Sequence, residues 1–208
     1  ARDLLSRRTD EELFHRPREN VLTLSWRWFA QMQRRATAWI TEIPLRRALH
    51  RNPGFILVPL QVSNDSQIQL AARGWTTRRL VNQCLMALAQ TNPHQTCVFK
   101  LHPLERFNNK ITRMIDQRAR SLGIDQKNYK ILHTGWIGDL TAHSSGMVLI
   151  NSTSGFSALH HGVPLLVLGD AIYRHEEIAT IGKDQKDIVD FCRLRQSKSP
   201  EAIAAFFE

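Results

Sequence analysis

The sequence predicts an α/β fold: an open, parallel sheet of about five strands, preceded by a basic and mostly helical segment. Two observations carry this. From residue 53 onward, short apolar runs rich in β-branched residues alternate with stretches of helical period, the pattern of right-handed βαβ units. The runs are apolar without alternation, as strands covered by helices on both faces must be. Residues 1–52 show no such run; the first fifty hold ten Arg, no Lys and six acidic residues. The boundary therefore falls at 52/53, with a Rossmann-like domain over 53–208.

Taken in order, Arg7 to Arg18 is polar and aperiodic. Val21 to Ile43 reads as a helix, because Trp26, Phe29, Ala30, Gln33, Thr37 and Ile40 recur at steps of three and four. Pro44 ends it or starts the next turn, and Leu45 to His50 forms a short second helix. Asn52-Pro53-Gly54 is a break. Phe55 to Val62 is the first strand and Thr76 to Gln90 a helix stopped by Asn92-Pro93. Thr96 to Leu101 is the second strand, ending at His102-Pro103. Asn108 to Ser121 is a helix closed by Gly123, whose lack of a side chain suits the left-handed cap. Tyr129 to His133 is the third strand, Ile137 to Ser144 a short helix, and Met147 to Ile150 the fourth strand. Ser152 to His161 is a helix capped by Gly162, and Pro164 to Leu168 is the fifth strand. Lys183 to Leu194 and Pro200 to Phe207 are terminal helices.

The composition excludes several classes. A chain of 208 residues, 42% hydrophobic and 23% charged, can bury a core without staples, so collagenous, coiled-coil and disordered classes drop out. No apolar run reaches the roughly 18 residues of a membrane helix. Cys84, Cys97 and Cys192 are an odd count without paired spacing, which argues against a disulfide framework or structural zinc and for a reducing, cytoplasmic setting. The chain begins at Ala1 without a secretory pattern, which reads as a trimmed piece of a longer protein. The net charge of +9 calls for an anionic partner: nucleic acid, membrane surface, or an anionic sugar or nucleotide. The basic residues are spread along the chain rather than gathered in a recognition motif, so nucleic acid is not expected. Residues Trp26 to Arg51 hold six Arg, one acidic residue (Glu42) and Trp26, Trp28 and Trp39. That composition suits a helix lying on an anionic membrane, and equally one whose apolar face packs on the sheet.

In open α/β sheets, ligands bind beyond the carboxyl ends of the strands. The segments to inspect are therefore Gln61 to Ser66, His102-Pro103, His133 to Gly135, Asn151 to Gly155 and Gly169 to Tyr173. Asn151-Ser152-Thr153-Ser154-Gly155 opens a helix, where hydroxyls and N–H groups can cradle an anion or simply cap the helix. Lys100 and His102 place a cation and an imidazole at the end of the second strand. Asp65, just past the first strand, can be nucleophile, base or ribose ligand, or can cap the next segment. No Gly-x-Gly-x-x-Gly or Walker-type loop is present. His160-His161 at a helix end reads as structural. His133, His143 and His175 show no metal-ligand spacing, so neither metal nor cofactor is expected.

The set Gln61-x-x-x-Asp65-Ser66, Lys100-x-His102-Pro103, Asn151-Ser-Thr-x-Gly155-Phe-x-Ala-Leu159, Gly162-x-Pro164 and Gly169-x-x-x-Tyr173 resembles the bacterial capsule polysaccharide synthesis family. The resemblance spans residues 55–175. Members include retaining β-Kdo transferases (Kdo is 3-deoxy-D-manno-oct-2-ulosonic acid). It implies the donor-binding lobe of a GT-B glycosyltransferase that uses CMP-β-Kdo as substrate. By that resemblance Asp65 is the nucleophile of a double displacement, and His102 with Ser152 and Thr153 holds the CMP ribose and phosphate. Lys100, Pro103, Asn151, Ser154 and Gly155 belong to the same nucleotide site, with Gln61, Ser66 and Tyr173 as further candidates. The implied partners are a nucleotide-sugar donor, a lipid-linked or glycan acceptor, an anionic membrane surface at the inner face of the bacterial inner membrane, and capsule assembly proteins. An acid/base is not identified; Glu11, Glu12, Glu19 and Glu42 carry no motif. Another GT-B transferase using a different nucleotide sugar, or a non-catalytic nucleotide-binding scaffold, are the competing readings.

Overall fold

A computed structural model describes residues 21–61, 71–91, 94–102 and 110–208. Two helices come first: α1 (Val21–Thr41) and α2 (Ile43–Arg51). The single long helix expected to Ile43 stops at Thr41, and Pro44 falls in the first turn of α2. Proline is at ease there because its missing N–H would have had no helical partner.

Six strands follow: β1 (Phe55–Pro59), β2 (Cys97–Lys100), β3 (Tyr129–Leu132), β4 (Ser144–Leu149), β5 (Leu165–Val167) and β6 (Thr180–Ile181). All pairings are parallel, in the order β3-β2-β1-β4-β5-β6. That is a doubly wound Rossmann order, with its topological switch point between β1 and β4. β6 is not among the expected strands, because two residues carry no periodicity. β4 also begins earlier than expected, because Ser144 to Gly146 pair with β1 across a register shift at Phe55/Ile56. Gly146 lies in this segment, and a Cβ there would fall 3.1 Å from the Phe191 ring of the helix that covers it.

The α-helices that follow among the described residues include α3 (Thr77–Gln90), α4 (Lys110–Ser121), α5 (Ile137–Ala142), α6 (Ser154–His160), α7 (Gln185–Leu194) and α8 (Pro200–Phe207). Asn92-Pro93 and the expected start of α4 at Asn108 lie outside the described residues. Thr76 accepts a hydrogen bond from Arg79 N and so starts α3, and Asp184 with Asp187 closes a capping box on α7.

Period two in β1 sorts the core into two layers. Ile56, Val58 and Leu60 join α3, α4 and α7 on one face. Phe55 and Leu57 join Leu49 of α2, Leu140 of α5 and Ala158 and Leu159 of α6 on the other. Leu57 and Leu149 are fully buried; truncating such a residue to Ala costs about 2–5 kcal/mol. The aromatic face of α1 does not pack on this sheet: Trp26, Phe29 and Ile40 are all more than half exposed.

Candidate functional site

The carboxyl ends of the strands open into a cleft of about 750 Å³, within the ordinary size of a small-molecule site. Lys100 and His102 line it from the end of β2, His133, Thr134 and Trp136 from beyond β3, and Ser152 to Ser154 from beyond β4. Arg35 and Trp39 of α1 close the remaining side. A second hollow of about 590 Å³ adjoins it, sharing His102, Ser152 and Thr153 and adding Gln61, Asn151, Phe156, Asp170 and Tyr173. Gln61 Nε2 donates to Asn151 Oδ1 at 3.0 Å, bridging β1 and β4 at the switch point.

The sequence-predicted residues Lys100, His102, Asn151, Ser152, Thr153, Ser154, Gln61 and Tyr173 thus share one edge of the sheet. Gly155 is buried behind them. A Cβ there would fall 2.4 Å from the Tyr173 ring, so only glycine lets α6 approach that close. Tyr173 in turn donates its hydroxyl to the Ser152 carbonyl, and burial pushes its pKa up. Tyr173 is therefore a neutral prop under the Ser152 turn. Asp65, Ser66 and Pro103 lie outside the described residues.

The helix start differs from the expected cradle in one respect. Gly155 N donates to Ser152 O at 3.0 Å, Phe156 N to Thr153 O at 3.1 Å, and Ser154 N to Ser152 Oγ at 3.3 Å. Those N–H groups are engaged within the turn, because the chain enters α6 through a tight turn. The side chains are what face the cleft. Thr153 stands at the N-cap position but makes no capping bond, so its hydroxyl is not spent on the helix.

The charged side chains that line the cleft among the described residues are cations. Arg35 and Lys100 line it with two imidazoles and four hydroxyl side chains, and among the described residues no carboxylate lines it. Lys100 is buried, and its ammonium donates to the carbonyls of Leu101 at 2.9 Å and His133 at 3.2 Å. Burial lowers its pKa to about 8, with nearby Glu42 partly opposing the fall. A cation held in that state gains from any anion that enters.

Glu42 is the residue whose role the sequence concealed. It sits between α1 and α2 and is buried. Its carboxylate accepts hydrogen bonds from His133 N at 2.8 Å, His133 Nδ1 at 3.0 Å, Thr134 N at 2.9 Å and Thr134 Oγ1 at 2.5 Å. Burial alone would raise its pKa, but these four donors override it and hold it at about 2. Such a group cannot shuttle protons near neutral pH. Glu42 is therefore removed as an acid/base candidate and becomes the clamp between the helical arm and the loop after β3. Arg46 reinforces it, donating to Thr134 Oγ1 at 2.5 Å and to Trp39 O at 2.8 Å. The one usable signal was that Glu42 is the lone carboxylate among six arginines. Arg35, Trp39 and Trp136 were also missed as lining residues, since nothing in their spacing ties them to the strand ends.

The model of the capsule polysaccharide biosynthesis protein family matches residues 13–207. The chain belongs to that family. The capsule polysaccharide modification protein LipB of Neisseria meningitidis is 30% identical over 171 residues, covering 79% of this chain and 39% of LipB. The capsule polysaccharide export protein KpsS of Escherichia coli is 32% identical over 120 residues, covering 57% of this chain and 31% of KpsS. The chain therefore spans between 31% and 39% of the length of these two relatives. In fold it is similar to Anabaena Alr3699/HepE, solved in complex with UDP-glucose. That match has a TM-score of 0.52 and 15% identity, and covers 79% of this chain and 42% of the other. The likeness is one of fold, a Rossmann-like parallel α/β sheet.

Proposed function

We propose that this capsule biosynthesis chain is the donor-binding half of a retaining glycosyltransferase that moves Kdo from CMP-β-Kdo to a lipid-linked or glycan acceptor. The observation that carries the reading is the cleft at the strand ends, which brings Arg35, Lys100, His102 and the hydroxyls of Ser152, Thr153 and Ser154 to one place. Such a lining suits a phosphate at the place where α/β sheets bind nucleotides. Choice of CMP and Kdo rests on the family resemblance of the Lys100-x-His102-Pro103 and Asn151-to-Gly155 elements.

The chemistry then divides among named residues. The Asp65 carboxylate attacks the anomeric carbon while the bond to the phosphate oxygen breaks, and CMP leaves with the bonding pair. Lys100, His102 and the hydroxyls stabilise the charge that develops on that oxygen. An acceptor hydroxyl then displaces Asp65 from the other side, loses its proton to a base, and restores the original configuration. Gln61 and Ala71 bound segment 62–70, which carries Asp65. Gln61 lines the second hollow, and the Ala71 carbonyl accepts from Asp170 N. Both ends of the segment thus lie beside the sites the donor would fill. No metal or cofactor is assigned a step.

The helical arm supports a membrane-facing placement. Trp26 and Trp28 are 70% and 65% exposed, and Phe29, Met32, Trp39 and Ile40 are exposed with them. At 100° per residue, these six and Ala36 fall on one half of α1, while Arg34 and Arg35 fall on the other. No helix among the described residues is long and apolar enough to cross a membrane. An aromatic face bordered by arginines is what lies on an anionic lipid surface, here the inner face of the inner membrane, beside capsule assembly proteins.

Calorimetry against a panel of CMP, UMP, UDP and GMP tests the donor reading. CMP should bind tightest, and His102→Ala and Ser152→Ala/Thr153→Ala should each lose about 1.5–3 kcal/mol. UDP binding in place of CMP would move the chain to another nucleotide sugar, the reading that the likeness in fold to HepE favours. Binding of no nucleotide would end the donor-lobe proposal. CMP binding with no transfer by the full-length protein would favour a scaffold.

A further inference from the structure

We propose that His50, Asp139 and His143 form a site for one divalent transition-metal ion of the zinc kind, tying α2 to α5. Sequence spacing hides it, because His50 lies in the last turn of α2 while Asp139 and His143 lie 89 and more positions later. The fold brings them together: one ligand atom from each lies within 4.8 Å of the other two. His50 Nε2 is 2.8 Å from Asp139 Oδ2. The two imidazoles stack at 4.2 Å between ring centres, with 20° between planes.

The second observation concerns the tautomer of His143. Its Nδ1 is 2.8 Å from the backbone carbonyl of Asp139. A carbonyl only accepts, so Nδ1 carries the proton and Nε2 is the ring nitrogen left to bind a metal once the ring turns toward it. Metal-bound histidines are held in this way, by a second-shell carbonyl on the other ring nitrogen. Asp139 and His143 are also four residues apart at one helix end, the spacing that puts two ligands on one side. Two imidazoles and a carboxylate select zinc-like ions over magnesium or calcium, which prefer all-oxygen shells. The side chains of His50 and Asp139 are 41% exposed and that of His143 33%, so an ion can enter and water can complete a tetrahedron. Ligand bonds of about 2.0–2.2 Å set tetrahedral ligand atoms roughly 3.4 Å apart, so the His50–Asp139 pair opens slightly while His143 draws in, within reach of side-chain rotation.

The role is structural. None of the three lines the nucleotide cleft. α2 begins one residue after Glu42, and α5 begins directly after the Thr134 to Trp136 loop that Glu42 holds. A metal there would fasten the same two elements from their far ends, and would steady the arm that brings Arg35 and Trp39 to the cleft.

The test is zinc titration by calorimetry on the metal-stripped protein, with thermal unfolding alongside. One zinc ion should bind per chain, and saturating zinc should raise Tm by roughly 5 °C or more. His50→Gln/His143→Gln should lose at least about tenfold in affinity together with the Tm shift, while keeping the wild-type circular dichroism. His160→Gln/His161→Gln, a histidine pair elsewhere, should keep both. Should the double variant fail to fold, Asp139→Asn alone carries the same expectation. Absence of zinc binding in the wild type overturns the proposal, as does binding that survives loss of these ligands or depends on His160 and His161.

Discussion

Replacing Lys100 with Met separates what this lysine does for binding from what it does to stability. Its pKa falls from 10.5 to about 8 because it is buried. At about 1.4 kcal/mol per tenfold, holding Lys100 charged in the fold costs about 3 kcal/mol relative to the unfolded chain at neutral pH. The sign follows from linkage. Between pH 8 and 10.5 the folded chain binds fewer protons than the unfolded one, so this group makes stability rise with pH there, and its cost is fully present below pH 8. Lys100→Met removes that cost but leaves the carbonyls of Leu101 and His133 without their donor, at about 1–3 kcal/mol each. Stability should therefore change little at pH 7. Binding should change much more: loss of a charged hydrogen bond to phosphate is about 1.5–3 kcal/mol, roughly 10- to 150-fold in Kd. In the wild type, CMP affinity should fall toward tenfold per pH unit above pH 8, and binding at pH 8 should take up about half a proton. Calorimetry from pH 7 to 9.5, in buffers of different ionisation enthalpy, reads both quantities. A flat wild-type profile, or a Met variant with wild-type affinity, would refute the placement of Lys100 at the phosphate.

Three further outcomes follow from the same account. Asp65→Asn in the full-length protein should abolish sugar transfer while leaving CMP affinity within a few-fold; wild-type turnover by that variant would remove Asp65 as nucleophile. Glu42→Gln should lower the unfolding free energy at pH 7 by about 2–3 kcal/mol. Because the Glu42 pKa is held at about 2, below the ordinary 4.5, that contribution is present above pH 4.5 and is lost as pH falls toward 2, so urea titrations of the two proteins should converge at low pH. The protein should float with vesicles containing phosphatidylglycerol at low salt, and not with neutral vesicles; Trp26→Ala/Trp28→Ala should weaken this and about 0.5 M salt should release it. Flotation indifferent to lipid charge would return α1 to protein–protein packing.

The sheet was legible because its strands are buried on both faces, and unbroken apolar runs such as Phe55 to Leu60 have few other uses. Strand ends then pointed to Lys100, His102 and Asn151 to Ser154 without any knowledge of the ligand, because a parallel sheet presents its loops at one edge. What stayed hidden is what depends on long-range docking. Arg35 and Trp39 reach the cleft only because Glu42 locks α1 and α2 onto the loop after β3, a contact across 91 positions. β6 has two residues and no period to detect. The Ser152 turn looked like a free anion cradle in sequence, but its N–H groups close on the turn itself, a detail of backbone path that composition does not encode. His143, set aside for lack of ligand spacing, meets His50 only through the fold.

The most direct test of the central claim is chemical-shift mapping of the isotope-labelled protein titrated with CMP. Binding at the strand ends predicts that the largest shifts cluster at Lys100, Leu101, His102 and Asn151 to Ser154, with Arg35 and Thr134 moving alongside. Shifts centred instead on the basic groove of Arg78, Arg79 and Arg118 between α3 and α4, or no shifts at millimolar CMP, would contradict it.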